Sequence, residues 1–380
     1  MRIAIVCLHT SPADDPGAGD AGGMNVVVLH QAEALAALGH QVDVFTRRSS
    51  PDAPSRRRLA PGLDLVALDA GPAHPVPKGD HEGFIDEFRD RLAAFGPYDV
   101  VHSHHWFSGM AALPLARDWH APHVQSFHSI AADPSTPLSE GERPESPGRM
   151  AGETFLARES DAVVAISQAE ARTVVERLGG PADRVVVVPP GVDPVMFHPA
   201  GPGSGRSSSI LVAARLQPLK GIDLAIEAVA ALDARLTERF GTRAQRPELV
   251  VSGAASADFD GYLDELSAQA AALGIADRVR FLGPQSRTSL AALMRGSRLV
   301  LVPSHSETYG LVALEAAASG VPVVAADSGG LREAVVDGTT GLVVEGRDPQ
   351  VWAEAMLEVF TDDGLAARLG AGARERALSL

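Results

Sequence analysis

The stretch that decides the fold is "RLVLVPSHSETYGLVALEAAASGVPVVAA", residues 298–326. It begins and ends with apolar, β-branched runs, 298–303 and 321–326, and a helical segment that starts near Gly310 lies between them. Runs that are apolar without alternation are typical of strands buried on both faces of a parallel sheet. The stretch therefore predicts a strand–helix–strand unit.

The same order of elements recurs along the 380 residues of the chain. Repeated strand and helix patterns predict a doubly wound α/β fold. A Gly-, Ser- and Pro-rich stretch, 198–209, predicts a linker, so we expect two Rossmann-like domains, 1–197 and 210–380, facing each other across a cleft. The predicted strands are 2–8, 41–46, 63–68, 99–102, 123–127, 161–166 and 184–189, and then 210–214, 248–253, 278–283, 298–303, 321–326 and 341–346.

Composition and charge exclude several classes of function. The chain is 45% hydrophobic and 21% charged, as an ordinary globular protein is, and its formal net charge is −15. Such a charge repels nucleic acid and anionic membranes. Cys7 is the single cysteine, and the apolar run from Ile3 to Leu8 is too short for a signal peptide or a membrane span. We expect a cytoplasmic protein that binds no nucleic acid and is not inserted in a membrane; whether it forms a homodimer stays open.

Two cations follow the first predicted strand of the second domain. In "ARLQPLKG", Arg215 and Lys220 stand at the strand end, just ahead of a helix. Ligands of open α/β sheets bind beyond the carboxyl ends of the strands. Cations there can clamp a diphosphate, with Arg binding as a fork and Lys as a point charge. The alternative is a pair of solvated surface cations.

Two glutamates follow the strand at 298–303. Glu307 lies in the loop and Glu315 on the helix, eight positions later, which on a helix spans ~12 Å. Such a separation suits two ends of one long ligand better than one bond-breaking centre. Backbone N–H groups near Tyr309, Gly310 and Leu311 would lie between them and could seat a phosphate. A nucleotide-diphosphate sugar fits this description; the alternative is two solvated carboxylates.

The first domain offers a long loop and a group of histidines. The loop 9–25 closes with glycines that let backbone N–H groups approach a phosphate or a sugar. His102, His104 and His105 stand at one strand end and His128 at another. Because no cysteine or nearby carboxylate completes a zinc site, we predict no metal, and we expect these histidines to bind sugar or to be satisfied in the core.

Several motifs together resemble glycosyltransferase family 4, whose members are retaining enzymes with the GT-B fold. These motifs are "SETYGLVALEA", "GVPVVAADSGGLREAVVDGTTGLVV", "ARLQPLKG" and "VVPPGVDPVMF". The N-terminal "LHTSP" and "GDAGGMNV" are similar to the branch that holds the inositol-phosphate N-acetylglucosaminyltransferases of mycothiol biosynthesis. Sucrose-phosphate synthase-like enzymes stand near that branch. The resemblance covers nearly the whole chain.

The resemblance implies a donor site in the second domain. Arg215 and Lys220 would hold the donor diphosphate and stabilise the leaving phosphate, Glu307 would touch the sugar hydroxyls, and Glu315 would touch the ribose. Family members transfer the sugar by front-face attack, and the donor phosphate assists deprotonation of the acceptor. The expected co-substrate is a UDP-sugar, and no cofactor or Mg²⁺ is required. The further positions implied are His9 and Gly23 near the donor phosphates, Tyr309, Gly310 and Leu311 at the helix start, and His128 beside the sugar at the reacting centre.

The resemblance also implies an acceptor pocket in the first domain, in which Lys78 and Arg149 would supply charge for an anionic acceptor. Departures from the branch lie on this side: His105 stands where a tyrosine is common, and an acidic, Pro-rich insert precedes Arg149. The acceptor positions are Asp20, Ala21, Gly22, Gly23, Met24, Asn25, Lys78, His105, Ser129 and Arg149.

These observations predict transfer of a hexose or N-acetylhexosamine, with UDP-N-acetylglucosamine as the expected donor, to a phosphorylated polyol such as inositol phosphate. A sucrose-phosphate-synthase-like glucosyltransferase and a mannosyl- or glucosyltransferase acting on a lipid or polysaccharide stay open. A hydrolase is disfavoured, because paired glycosidase carboxylates stand roughly 5–9.5 Å apart and a diphosphate clamp would serve no purpose there. A sugar-binding protein without chemistry is the remaining alternative.

Overall fold

The computed structural model describes residues 1–14, 22–133, 145–201, 207–241, 245–255, 259 and 261–380. The chain divides into two compact units; the first extends to Pro189, and the second starts at Pro190. Residues 190–197, placed in the first domain by the sequence, thus group with the second unit. Phe197 is fully buried, and its carbonyl accepts a hydrogen bond of 2.9 Å from Arg374.

The first unit is a twisted sheet flanked by helices. The strands are β1 (Arg2–Cys7), β2 (Gln41–Arg47), β3 (Arg56–Ala60), β4 (Leu63–Leu68), β5 (Val100–His104), β6 (His123–Ser126), β7 (Ala162–Ala165) and β8 (Val185–Val187). They lie in the order β3-β4-β2-β1-β5-β6-β7-β8, and all neighbours are parallel except β3 and β4. The α-helices are α1 (Gly23–Ala37), α2 (Ile85–Leu92), α3 (Trp106–Asp118), α4 (Arg149–Glu159) and α5 (Gln168–Arg172).

Strand β1 shows why the apolar runs predict central strands. Ile5 and Val6 are fully buried, yet they belong to different hydrophobic clusters, because neighbouring side chains of a strand point to opposite faces. Burial of each such side chain stabilises the fold by roughly 1.5–3 kcal/mol. The sheet therefore has an apolar layer on each side.

Strand β3 was not predicted from the sequence. Its residues, "RRRLA", carry three arginines and no apolar run, because β3 is an edge strand. Arg56 donates hydrogen bonds to Asp64 of β4 at 3.0 Å and to Asp43 of β2 at 2.7 Å, so ion pairs hold the antiparallel edge in place of apolar packing. An apolar-run criterion cannot find such a strand.

The second unit repeats the design. Its strands are β9 (Ser209–Ala213), β10 (Glu248–Ser252), β11 (Val279–Phe281), β12 (Leu299–Val302), β13 (Val323–Ala326) and β14 (Gly341–Val344). They lie in the order β11-β10-β9-β12-β13-β14, all parallel. The α-helices are α6 (Ile222–Phe240), α7 (Tyr262–Ala272), α8 (Arg287–Gly296), α9 (Leu311–Ala318), α10 (Leu331–Ala334), α11 (Pro349–Thr361) and α12 (Asp363–Ser379).

The strand order fixes where each unit can bind a ligand. In the first unit, β1 and β5 are neighbours, but the chain continues from β1 toward one edge of the sheet, to β2, and from β5 toward the other edge, to β6. In the second unit, the chain diverges in the same way from the neighbours β9 and β12, to β10 and β13. Loops that leave such neighbouring strands diverge and open a crevice at the carboxyl ends. Among the described residues, no helix is long and apolar enough to cross a membrane.

Candidate active site

The loops after β9 and β12 bring Lys220 and Glu307 together. Lys220 Nζ donates a hydrogen bond to Glu307 Oε1 at 2.6 Å, and Ser304 Oγ donates to the same oxygen at 3.0 Å. The lysine and glutamate side chains are 18% and 20% exposed, so the pair is neither solvated freely nor sealed in the core. Eighty-seven residues separate them in sequence, and the parallel pairing of β9 with β12 makes their loops neighbours.

The backbone around Glu307 is fixed by a close approach of two glycines. Gly330 N–H donates to the Glu307 carbonyl at 2.8 Å. Gly329 has φ +51°, and a Cβ on it would stand 2.1 Å from that carbonyl oxygen. Glycine is the residue that permits both the positive φ and the approach. The "SGG" segment therefore supports the loop that presents Glu307.

Helix α9 begins directly after this loop. Gly310 precedes it with φ +102°, and the helix starts at Leu311, as predicted. First-turn N–H groups of a helix have no partner within the helix and can bind an anion. Tyr309 is only 3% exposed, so its ring lies in the core. Only its backbone can contribute to the site.

Glu315 is buried in α9 and is neutralised by an arginine that the sequence analysis did not identify. Arg287 NH1 donates to Glu315 Oε1 at 2.8 Å, and Glu315 is 5% exposed. Burial raises the pKa of Glu315, and the charge and hydrogen bond of Arg287 oppose that rise. Arg287 opens α8, far from Glu315 in sequence, and no local pattern links the two.

Arg215 lies two residues beyond β9 and is partly exposed. The backbone on both sides of it is tied to the neighbouring strand end: Ala214 N–H donates to the Ser252 carbonyl and Leu216 N–H to the Ala254 carbonyl, each at 2.9 Å. These bonds fix the direction in which the Arg215 side chain leaves the loop. Arg215, Lys220, Glu307 and the start of α9 thus all lie at the carboxyl edge of the second sheet.

In the first unit, imidazoles gather at the corresponding edge. His9 follows β1 and His105 follows β5, and their ring centroids are 4.4 Å apart. His104 Nδ1 lies 2.8 Å from His128 Nε2, so one ring must donate a proton and the other accept it. Strands β1, β5 and β6 are consecutive in the sheet, which explains the gathering.

Burial keeps these imidazoles neutral. It lowers the pKa of His128 to about 3, with a smaller contribution from His102. It also lowers the pKa of His9 and His105 well below the ordinary value, and nearby Lys78 and Arg149 reinforce that shift in both. Both positive charges therefore disfavour protonation of His9 and His105. Neutral N–H donors beside positive charges suit an anionic, hydroxyl-bearing ligand.

Arg149 begins α4 and is only 6% exposed. Its guanidinium donates to Glu153 at 2.8 Å, to Glu145 at 2.6 Å and to Ser129 Oγ at 3.2 Å. Burial alone would lower the pKa of Arg149, but the two carboxylates raise it. Arg149 was expected to supply charge for the acceptor, but Glu145 and Glu153 already balance that charge, and neither was identified from the sequence.

The predicted acceptor residues around the start of α1 differ in burial. Helix α1 starts at Gly23, so it includes the last three residues of the predicted loop 9–25. Asn25 is 1% exposed; its side-chain oxygen accepts from Gly22 N–H at 3.0 Å and its amide donates to Thr10 Oγ1 at 2.9 Å. Asn25 thus ties the helix start to the loop after β1. Gly23 is exposed, Met24 partly buried, and the predicted positions Asp20 and Ala21 lie outside the described residues.

In the parts of the chain that the structure describes, no group of three or more His, Cys, Asp or Glu side chains could hold a metal ion.

Comparison with known proteins identifies the class. The family model described as "Glycosyl transferase 4-like domain" matches residues 22–191, and "Glycosyl transferases group 1" matches residues 201–376. The chain is similar to sucrose-phosphate synthase from Thermosynechococcus elongatus, with a TM-score of 0.87, 27% identity, and 100% and 94% of the two chains covered. Anabaena HepE in complex with UDP and glucose shares the fold, with a TM-score of 0.75, 21% identity and coverages of 100% and 95%. The fold and site therefore define a GT-B glycosyltransferase.

Sequence relatives narrow this class further. The chain is 42% identical to a D-inositol 3-phosphate glycosyltransferase of Frankia alni, over 97% of this chain and 93% of the relative. It is also 42% identical to one of Stackebrandtia nassauensis, with 99% and 87% covered. The chain belongs to glycosyltransferase family 4, in the branch that contains these enzymes, and it is a hexosyltransferase. The resemblance stated from the motifs is thus confirmed.

Proposed function

We propose that this enzyme transfers N-acetylglucosamine from UDP-N-acetylglucosamine to an inositol phosphate and retains the anomeric configuration. The observation that carries the proposal is the full-length similarity to D-inositol 3-phosphate glycosyltransferases. A second observation supports the proposal: the Lys220–Glu307 ion pair lies at the carboxyl edge of the second sheet. The second unit takes the donor, and the first unit takes the acceptor.

On the donor side, Arg215 and Lys220 bind the diphosphate together with the N–H groups at the start of α9. When the bond from the anomeric carbon to the phosphate breaks, negative charge grows on the leaving oxygen, and fixed cations stabilise it. Lys220 must then shift part of its interaction from Glu307 to the phosphate. Glu307 then becomes available to the sugar hydroxyls. Breaking the Lys220–Glu307 contact thus frees Lys220 for the phosphate and Glu307 for the sugar.

No metal or organic cofactor is part of this proposal, because Arg215 and Lys220 supply the positive charge at the leaving phosphate. The acceptor oxygen attacks from the face that the phosphate leaves, and its proton passes to the departing phosphate oxygen. We expect EDTA to change the rate by less than about twofold. A loss of activity that Mg²⁺ restores would show that a metal shares the charge.

On the acceptor side, Lys78, Arg149 and Ser129 bind the phosphate, and neutral imidazoles such as His105 bind ring hydroxyls. Arg149 can accept a phosphate as a further partner, because its NH2 group already reaches Ser129 Oγ, at 3.2 Å. A phosphate there competes with Glu145, whose side chain is 45% exposed, more readily than with Glu153, which is 1% exposed. Glu145 is thus the partner that the acceptor displaces.

A second candidate is a sucrose-phosphate-synthase-like glucosyltransferase, favoured by the structural similarity at a TM-score of 0.87. Both candidates use a phosphorylated acceptor, so the charge of Lys78 and Arg149 does not separate them. Transfer to a lipid is the third, and the net charge of −15 disfavours approach to an anionic bilayer.

The test is a matrix of donors and acceptors read by mass. UDP-, GDP- and ADP-sugars are each incubated with inositol phosphate, inositol, fructose 6-phosphate and a short-chain lipid acceptor. The proposal expects a product with UDP-N-acetylglucosamine and inositol phosphate, and much less with unphosphorylated inositol. A sucrose phosphate product in place of this one would establish the second candidate.

A further inference from the structure

The two cations assigned to the acceptor phosphate lie on segments that are far apart in sequence and are joined by one contact. Lys78 begins a short 3₁₀ helix, Lys78–Phe84, and Arg149 is the first residue of α4. The contact is a hydrogen bond of 2.9 Å from the backbone N–H of Gly148 to Oε1 of Glu82, across 66 positions. Glu82 was not identified from the sequence.

Gly148 leaves room for this carboxylate. A Cβ at position 148 would stand 2.2 Å from Glu82 Oε1, whereas the ring of Trp106 would be at an ordinary contact distance of 3.5 Å. The backbone of Gly148 has φ −82° and ψ −7°, which other residues can also adopt, so the glycine serves the close approach and not the conformation. Because Gly148 directly precedes α4, the carboxylate also stands at the positive end of the helix dipole.

Both segments pack beside the buried imidazoles of the first unit. His81 of the 3₁₀ helix is 2% exposed, and its ring centroid is 6.1 Å from that of His9. Gly152 of α4 lies against Trp106, where a Cβ would stand 2.7 Å from the ring, and Trp106 directly follows His105. Both segments therefore border the imidazole group, and one carboxylate joins them.

The segment that carries Lys78 has an anchor on each side of that residue. Before it, the buried guanidinium of Arg47 donates hydrogen bonds to the carbonyl of His74, at 2.9 Å, and to that of Pro72. After it, Glu82 Oε1 is the anchor, and Glu82 Oε2 is buried with no hydrogen-bond partner among the described residues. Loss of the Glu82 carboxylate therefore leaves the first anchor in place and removes the second.

We propose that Glu82 is a positioning residue for the acceptor phosphate: its carboxylate fixes the Lys78 segment to the start of α4, so that Lys78 and Arg149 are held together before the acceptor binds. The inference rests on the proposed function, which assigns both cations to that phosphate. Glu82 touches no substrate in this scheme. Cations that are already ordered bind an anion without the entropic cost of ordering them. The contact should therefore lower KM for the acceptor and leave the chemical step unchanged.

The kinetic test compares Glu82→Ala, which removes the oxygen that accepts from Gly148 N–H, with Glu82→Gln, which keeps one oxygen there. In Glu82→Ala we expect KM for inositol phosphate to rise about tenfold, with kcat and the donor KM changed less than about threefold. In Glu82→Gln that KM should rise less than about threefold. The matched control is Asp161→Ala, which removes a carboxylate that accepts from His123 N–H at 2.8 Å, at the amino end of β6. It should keep all three constants within about twofold.

Gly148→Ala tests the same contact from its other partner. The new Cβ takes the place of Glu82 Oε1, so KM for inositol phosphate should again rise about tenfold. In the double variant Glu82→Ala, Gly148→Ala the carboxylate is gone and the Cβ has room, so KM should be no higher than in Glu82→Ala alone. Such non-additivity marks two residues that act through one contact. Two effects on KM that multiply would overturn the proposal.

Hydrogen exchange provides a readout that needs no turnover. Amides of peptides that cover residues 145–152, followed by mass spectrometry, should exchange faster in Glu82→Ala than in the wild type and at the wild-type rate in Asp161→Ala. Unchanged exchange in Glu82→Ala would refute the contact. Faster exchange with a wild-type KM for the acceptor would show that Glu82 is structural only, and would overturn the positioning role.

Failure of the proposed function gives a different result. A wild type that transfers no sugar to inositol phosphate in the matrix above refutes that function, and KM is then measured with the phosphorylated acceptor that does react. The exchange rates test the contact in either case. If Glu82→Ala does not fold, Gly148→Ala decides, because a wild-type KM for the acceptor in that variant overturns the proposal.

Discussion

The two units place chemistry at the same edge of similar sheets but build it from different groups. In the second unit, cations and carboxylates neutralise each other, as Lys220 does with Glu307 and Arg287 with Glu315. In the first unit, buried imidazoles stay neutral beside Lys78 and Arg149. In the second unit, the charges of the site stand in pairs that a ligand can exchange. In the first unit, Arg149 is also paired with carboxylates, but the imidazoles offer hydrogen bonds without charge, at the cost of sensitivity to acid.

The largest expected effect is on the acid stability of the first unit. Six of its histidines have pKa values lowered below the ordinary 6.5. The unfolded chain binds protons below that value and the folded chain does not, so stability is lost as pH falls below 6.5. Each imidazole contributes up to about 1.4 kcal/mol per pH unit. Urea unfolding followed by hydrogen exchange should show the first unit opening before the second at pH 5.5. Equal loss in both units would contradict the comparison.

Removal of the Lys220 side chain tests whether its positive charge passes from Glu307 to the donor phosphate. Lys220→Ala should lower kcat about 10²- to 10³-fold, because the leaving phosphate loses a fixed positive charge. The control is Arg235→Ala, which breaks a surface pair with Glu354 in the same unit and should stay within about twofold of wild type. Steady-state rates at saturating donor measure both. Turnover like that of the wild type in Lys220→Ala would refute the clamp.

Arg149 tests the acceptor side of the comparison. Arg149→Met removes charge-assisted hydrogen bonds, so KM for the phosphorylated acceptor should rise about 10- to 100-fold. Because Glu153 stays buried without its partner, unfolding free energy should also fall by about 3–5 kcal/mol. Arg117→Met is the control, since its pair with Glu159 is exposed. If Arg149→Met loses stability but keeps its KM, Arg149 is structural only.

Glu315 gives the smallest kinetic effect. Glu315→Gln should raise KM for the donor about tenfold and leave kcat nearly unchanged, since the ribose contact is the same in ground and transition states. Glu248→Gln, which weakens a surface pair with Arg280, is the control. Initial rates over a range of donor concentrations measure both constants. A fall in kcat with an unchanged KM would place Glu315 nearer the reacting centre than the proposal does.

Sequence patterns located the buried strands well, because a central parallel strand must be apolar on both faces. All thirteen predicted strands are present, with ends that differ by at most two residues. The edge strand β3 escaped, since ion pairs with Asp64 and Asp43 replace apolar packing there. A pattern within one segment describes that segment's own burial and carries no information about distant charges.

The site residues were also predictable only as far as their own segments allowed. Lys220 and Glu307 could be identified singly, because each stands at a strand end, but their 2.6 Å contact depends on strand order. Arg287 was not identified, because its partner Glu315 lies on another helix that only the folded chain brings near. Glu153 was not identified either, although its partner Arg149 lies four residues earlier on the same helix.

The Lys220–Glu307 pair has a practical consequence for labelling. Of the 33 basic residues besides histidine, only Lys78 and Lys220 are lysines, and one lies in each unit. An amine-acylating reagent therefore has one side-chain target on the donor side and one on the acceptor side. Nucleotide binding should change the modification rate at Lys220, and acceptor binding the rate at Lys78. Peptide mass spectrometry of one mixture would then report occupancy of both halves at once.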